Sequence, residues 1–161
     1  MSLITSISKK GFLSQKTIEK EKSIIFAVYK RTTLLYYMDN NTKKLLEADT
    51  NGLLTYEYIA NNMGTIDEDL PALVDNMILK DRTGQFVVST ARYLNAIDRD
   101  KYAPSIDMLV KAAIAKDRDH VYLAYLASSL WGTDYKEHAA ELSAQDDNFR
   151  RIYKRLYPVG I

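Results

Sequence analysis

The chain holds two histidines, His120 and His138, and no cysteine. A catalytic imidazole needs a nucleophile within hydrogen-bond reach and an acid to orient it. No local spacing here supplies both. His138 shares a helical face with Asp134 and with Glu141, but two side chains on one helix are too few to hold a metal. Without cysteine there is no disulfide, thiolate zinc site, iron–sulfur cluster or thiol nucleophile. The segment "DRTGQ" carries a single glycine and lacks the strand–glycine–helix setting of a phosphate loop. The expectation is a non-enzymatic protein with no cofactor and no metal.

Charge placement is more informative. Asp67, Glu68 and Asp69 stand together, with Asp75 two turns later. From Asn51 to Lys80 there are five acids and one base, a local charge of −4. Acids at a helix N-terminus are favoured by its dipole and one can cap the free N–H groups; the same three residues could form an acidic patch for a basic partner. Bases gather elsewhere. Lys80 and Arg82 flank a turn, and Arg150, Arg151, Lys154 and Arg155 lie along "NFRRIYKRLYP" at i,i+4 spacing. Phe149, Ile152, Tyr153 and Leu156 occupy the opposite side. These bases suit a helix C-terminus, and they also suit a docking face for acidic protein or nucleic acid. Lys9, Lys10, Lys16, Lys20 and Lys22, partly offset by Glu19 and Glu21, make the N-terminal region basic, either as a solubilising face or as a binding arm.

The whole chain has 161 residues, 47% apolar and 27% charged, enough for a sizeable core without a covalent staple. Its net charge of +1 provides no global field toward nucleic acid or anionic lipid. The start lacks the apolar core and cleavage site of a secretory signal. No run of about 18 apolar residues suggests a membrane span. A cytoplasmic or virion location is expected.

The elements that must position these residues are mostly helical. Residues 1–13 read as a loosely held arm. Residues 14–38 read as a helix, with a two-stranded alternative over 24–38 because that stretch is rich in β-branched and aromatic residues. A short helix is expected over 42–48, a turn over 49–52, and two helices parted at Gly64. "ILKDRTGQFVVST" reads as a small hairpin, turning at 81–84 with Phe86, Val87 and Val88 in a strand. Helices follow over 91–98, from Pro104 onward, through "DRDHVYLAYLASSLW", and over 134–143 and 146–157. Tyr122, Tyr125, Leu126 and Trp131 are expected to fill the C-terminal core. No internal repeat or low-complexity tract is evident.

The middle of the chain resembles the winged helix-turn-helix superfamily. Thr55 is placed to cap the first helix of the motif. Ile59 and Ala60 supply an apolar and then a small residue, Met63 and Gly64 the apolar residue and turn glycine, and Leu70, Leu73 and Val74 the face of the second helix. "TKKLLEA" stands where the preceding helix belongs and "KDRTGQFVVS" where a wing belongs. The resemblance covers about fifty of the 161 residues, and with the helical periodicity on either side the expectation is a mainly α protein in three parts. They are an N-terminal arm and helix or hairpin (1–41), a winged-helix-like module of three short helices and a β-hairpin (42–90), and a helical C-terminal bundle (91–161).

In DNA-reading members the second helix enters the major groove through its N-terminal part. Here that part carries Asp67, Glu68 and Asp69, which would repel phosphates, and Pro71. The favoured expectation is therefore a protein–protein interaction or assembly module, working through a protein partner or self-association. A component of a phage or mobile-element complex would suit such a chain. The alternative is a DNA-associated regulator that binds through the wing (Lys80, Arg82), the N-terminal lysines or the basic C-terminal helix.

Overall fold

The computed structural model describes residues 39–158 together with Glu19, Lys20 and Lys22. The expected arm and the helix-or-strand question over 24–38 lie outside the described residues. Eight helices and no strand are present among those residues: α1 (Asn40–Ala48), α2 (Leu53–Asn61), α3 (Leu70–Lys80), α4 (Gln85–Asp98), α5 (Ala103–Lys116), α6 (Val121–Trp131), α7 (Ala139–Gln145) and α8 (Asp147–Leu156).

The wing is therefore absent, and the mainly helical expectation holds without its hairpin. Phe86, Val87 and Val88 are the first turn of α4. Their β-propensity is overridden by burial. Val87, Val88, Ala91 and Leu94 recur at helical spacing and are all within 2% of full burial, which a strand of period two would not permit. Each fully buried leucine in this core contributes roughly 1.5–3 kcal/mol of transfer free energy.

The helices pack in two layers. α2, α4 and α6 lie side by side in one layer, and α3 and α5 in the other. The C-terminal end of α1 joins the second layer, because Asn76 on α3 donates to the Leu46 carbonyl at 3.3 Å. α8 closes the stack, packing against both α5 and α6. Its buried Phe149 and Ile152 match the apolar side expected from sequence, and Phe149 meets Trp131 edge-on at 5.1 Å between ring centroids. Of the aromatic residues assigned to this core, Tyr125 instead stands 57% exposed, at the surface of α6. Residues 133–138 form turns rather than the expected helix, which begins only at Ala139.

The layers are joined by three corners of one design. α1 runs into α2 through Asp49–Gly52, α3 into α4 through Asp81–Gly84, and α5 into α6 through Asp117–His120. Each begins with a buried aspartate that ends one helix and caps the next. Each reaches its fourth residue in the left-handed region: Gly52 at φ +97°, Gly84 at +89° and His120 at +62°. The aspartates, 49, 81 and 117, lie 32 and 36 positions apart. Six residues after each comes a fully buried position, Thr55, Val87 or Leu123, and ten after each Ile59, Ala91 or Ala127. The chain thus contains an internal repeat of helix–corner–helix units, contrary to the sequence expectation. In such stacks each unit buries its apolar face only against its neighbours.

Candidate functional site

The corners begin with their aspartates. Asp81 is completely buried. One oxygen accepts from the Thr83 and Gly84 N–H groups, each at 2.9 Å. The other accepts from Phe86 N–H at 2.8 Å and Val87 N–H at 2.9 Å. Those donors are the free N–H groups that every helix start must satisfy. Asp117 accepts from Tyr122 and Leu123 N–H at 2.8 Å each. Asp49 accepts from Gly52 N–H at 2.8 Å and Thr55 N–H at 3.0 Å, and from the Thr55 hydroxyl at 2.6 Å. Burial opposes ionisation of Asp49, but the Thr55 hydroxyl and the converging N–H groups outweigh it and hold its carboxyl below the usual range. Thr55 is thus no cap of its own. Its hydroxyl donates to Asp49 and accepts from Asn76 at 2.8 Å, tying three helices together.

The corners stack on one another. A Cβ added to Gly52 would stand 3.1 Å from Asp81 Cβ, and one added to Gly84 would stand 3.5 Å from Asp117 Cβ. Each glycine therefore faces the aspartate of the next corner. No further corner follows the third, and there a histidine takes the glycine's place. His120 still adopts a conformation that costs a non-glycine residue roughly 1–3 kcal/mol. Replacing it by glycine should raise unfolding free energy by about 1 kcal/mol after the entropy of the more flexible unfolded chain is subtracted. Urea denaturation of H120G checks this; an unchanged or lower midpoint would show the strain to be relieved otherwise.

A lysine precedes the second and third aspartates and reaches back toward the corner before, Lys80 to the last turn of α1 and Lys116 to the second corner itself. Lys80 donates to the Glu47 carbonyl at 2.8 Å and Lys116 to the Asp81 carbonyl at 2.6 Å. An arginine follows each, Arg82 and Arg118, both exposed. Between the second and third corners lies an open cavity of about 420 Å³, lined by Arg82, Thr83, Lys116, Arg118, Asp119 and Tyr122 among others. That volume is within the roughly 300–1,000 Å³ of small-molecule sites. Asp81 spends both carboxylate oxygens on backbone N–H groups and Asp117 its Oδ2, so the charged lining of the cavity is three cations, Arg82, Lys116 and Arg118, with buried Asp117 beneath them and exposed Asp119 beside them. None of the three cations forms an ion pair among the described residues.

Of the partner-binding residues expected from sequence, only Arg82 lines this cavity, together with Tyr122, which was expected in the core. Lys80 is one corner away on Glu47. Asp67 does not cap α3: it accepts from Lys101 Nζ at 2.6 Å and from the Tyr102 hydroxyl at 2.9 Å. Those contacts, Lys101 first, keep its carboxyl below the ordinary range, and Asp67 in turn raises the Lys101 ammonium. Glu68 is exposed, and Asp69 takes the N-cap position without a side-chain capping bond. On α8, Arg150 pairs with Asp147 and Arg155 donates to the Ile114 carbonyl, whereas Arg151 and Lys154 are exposed.

Sequence reading missed Lys116 and Arg118. The available signal was the triplet Lys–Asp–Arg, which occurs at 80–82 and again at 116–118. Among the described residues no cluster of three potential metal ligands occurs, and no helix is long and apolar enough to cross a membrane. No protein-family model, curated protein or solved structure matches the chain.

Proposed function

We propose that this chain is a non-enzymatic protein–protein interaction or assembly module of the cytoplasm, whose partner docks along the edge where the corners stack. The observation that carries the reading is the repeated corner. A stack of helix pairs presents the same loop at regular intervals along one edge, and such architectures bind through surfaces that run across several units. On this edge the buried acids are consumed by the fold, while Arg82 and Arg118 are left to solvent. A partner with a complementary negative surface would be steered there.

Charge reversal tests this directly. Arg82→Glu/Arg118→Glu should abolish co-purification of the native partner, or dissociate the self-assembled form in light scattering. Arg151→Glu/Lys154→Glu on α8 should leave either intact. A protein that stays strictly monomeric and holds no partner, or one whose complex survives the first pair of substitutions, would remove the reading.

A further inference from the structure

We infer that the cavity between the second and third corners binds a phosphate monoester displayed by the partner protein, which rests on the interaction reading above and specifies its ligand. Three observations carry this. First, Arg82 from the second corner and Lys116 and Arg118 from the third line one cavity of about 420 Å³. A carboxylate is satisfied by a single bidentate arginine. A phosphate monoester carries a charge of about −1.5 to −2 at neutral pH and three strong acceptor oxygens, which matches three converging cations.

Second, one cation is pre-placed and the other two are rooted in fixed backbone. The Lys116 ammonium is held on the Asp81 carbonyl at 2.6 Å, leaving its other donors for a ligand. Arg82 and Arg118 each directly follow an aspartate whose carboxylate is locked onto backbone N–H groups, so the backbone at their roots is fixed. A donor already held, as Lys116 is, loses less entropy on binding. Third, the edge is not a continuous cationic track. Glu47 is exposed beside Lys80, and Asp119 stands on the cavity's own rim. A polyanion lying along the edge would meet Glu47 as well as Asp119, whereas a single compact dianion in the cavity is spared Glu47.

The test is a titration followed by amide NMR, using N-acetyl-phosphothreonine amide, N-acetyl-threonine amide, inorganic phosphate and single-stranded oligothymidine as probes. Phosphothreonine should shift the amides of Thr83, Asp119 and Tyr122 and compete with inorganic phosphate; the unphosphorylated probe should shift none. Arg82→Ala/Arg118→Ala should weaken binding by roughly tenfold or more with an unchanged thermal midpoint. The conservative pair Arg82→Lys/Arg118→Lys should restore part of it, which keeps the result interpretable if the alanine variant folds poorly.

Equal shifts from both threonine probes, or full binding by a folded alanine variant, would overturn the inference, as would tighter binding of oligothymidine at matched phosphate concentration. Phosphatase treatment of a purified complex separates the two claims. A partner retained after dephosphorylation sinks the phosphate ligand and leaves the interaction module standing. Phosphothreonine binding by a chain that neither assembles nor holds a partner does the reverse.

Discussion

Replacing Asp81 by alanine is expected to lower unfolding free energy by about 3–5 kcal/mol. Four backbone N–H groups end on this one carboxylate, at 2.8–2.9 Å. Gly84 and Val87 are themselves buried, so water cannot replace what their amides lose, and each buried donor left alone costs about 1–3 kcal/mol. The Thr83 and Phe86 amides are more accessible and add less. Asparagine should recover only part of the loss. Its oxygen can serve one pair of N–H groups, but its NH₂ then faces the other pair, donor against donor. Asp39 and Asp146 provide the comparison, since each accepts from only two backbone N–H groups at a helix start. Alanine at either should cost about 1 kcal/mol. Urea midpoints at constant slope would measure all four variants. If D81A cost no more than D39A, the corner would be an ordinary cap and not the joint of the stack.

The helices were largely legible in sequence because their signals are local. Leu70, Leu73 and Val74 share the buried side of α3 as their spacing requires. Pro104 sits in the first turn of α5, and Gly64 takes a positive φ of 94° where a turn glycine was expected. The second corner was misread because a hairpin turn and an aspartate-capped helix start share a composition. "DRTG" followed by Phe–Val–Val satisfies both, and only the apolar positions at 91 and 94 favour the helix. The repeat escaped notice for a related reason. Its three copies share the aspartate, the left-handed residue and a buried position six on, and the left-handed residue is glycine twice and histidine once.

The site was less legible still. Arg82 and Arg118 become neighbours only because one corner stacks on the next, and nothing local to either announces it. Conversely, the acids at 67–69 stood out in sequence as a patch. Asp67 is in fact tethered to Lys101 and Tyr102, residues of the turn that joins α4 to α5.

The stacking itself can be measured through two glycines that share a backbone conformation and differ in surroundings. Gly52 has φ +97° and Gly64 φ +94°, so alanine at either pays a similar cost for the left-handed region, roughly 1–2 kcal/mol. Around Gly64 a new Cβ would meet nothing within 4 Å. At Gly52 it would stand 3.0 Å from Met77 Sδ, 3.1 Å from Asp81 Cβ and 3.3 Å from Phe86 Cβ. The methionine can shift, but Asp81 is fixed by its four N–H groups and Phe86 lies in the helix turn they cap. Relief must therefore come from parting the first corner from the second, which would also strain the Lys80–Glu47 and Asn76–Leu46 links. Overpacking of this kind costs about 1–3 kcal/mol beyond the conformational term. Gly52→Ala should accordingly lose about 2–5 kcal/mol in chemical denaturation, against about 1–2 kcal/mol for Gly64→Ala. Amide exchange should accelerate at Gly84 and Val87 in the first variant only, since opening one corner loosens the next. Equal losses at the two glycines would mean that the corners merely lie near one another, and that the edge carrying Arg82 and Arg118 is not held by the stack.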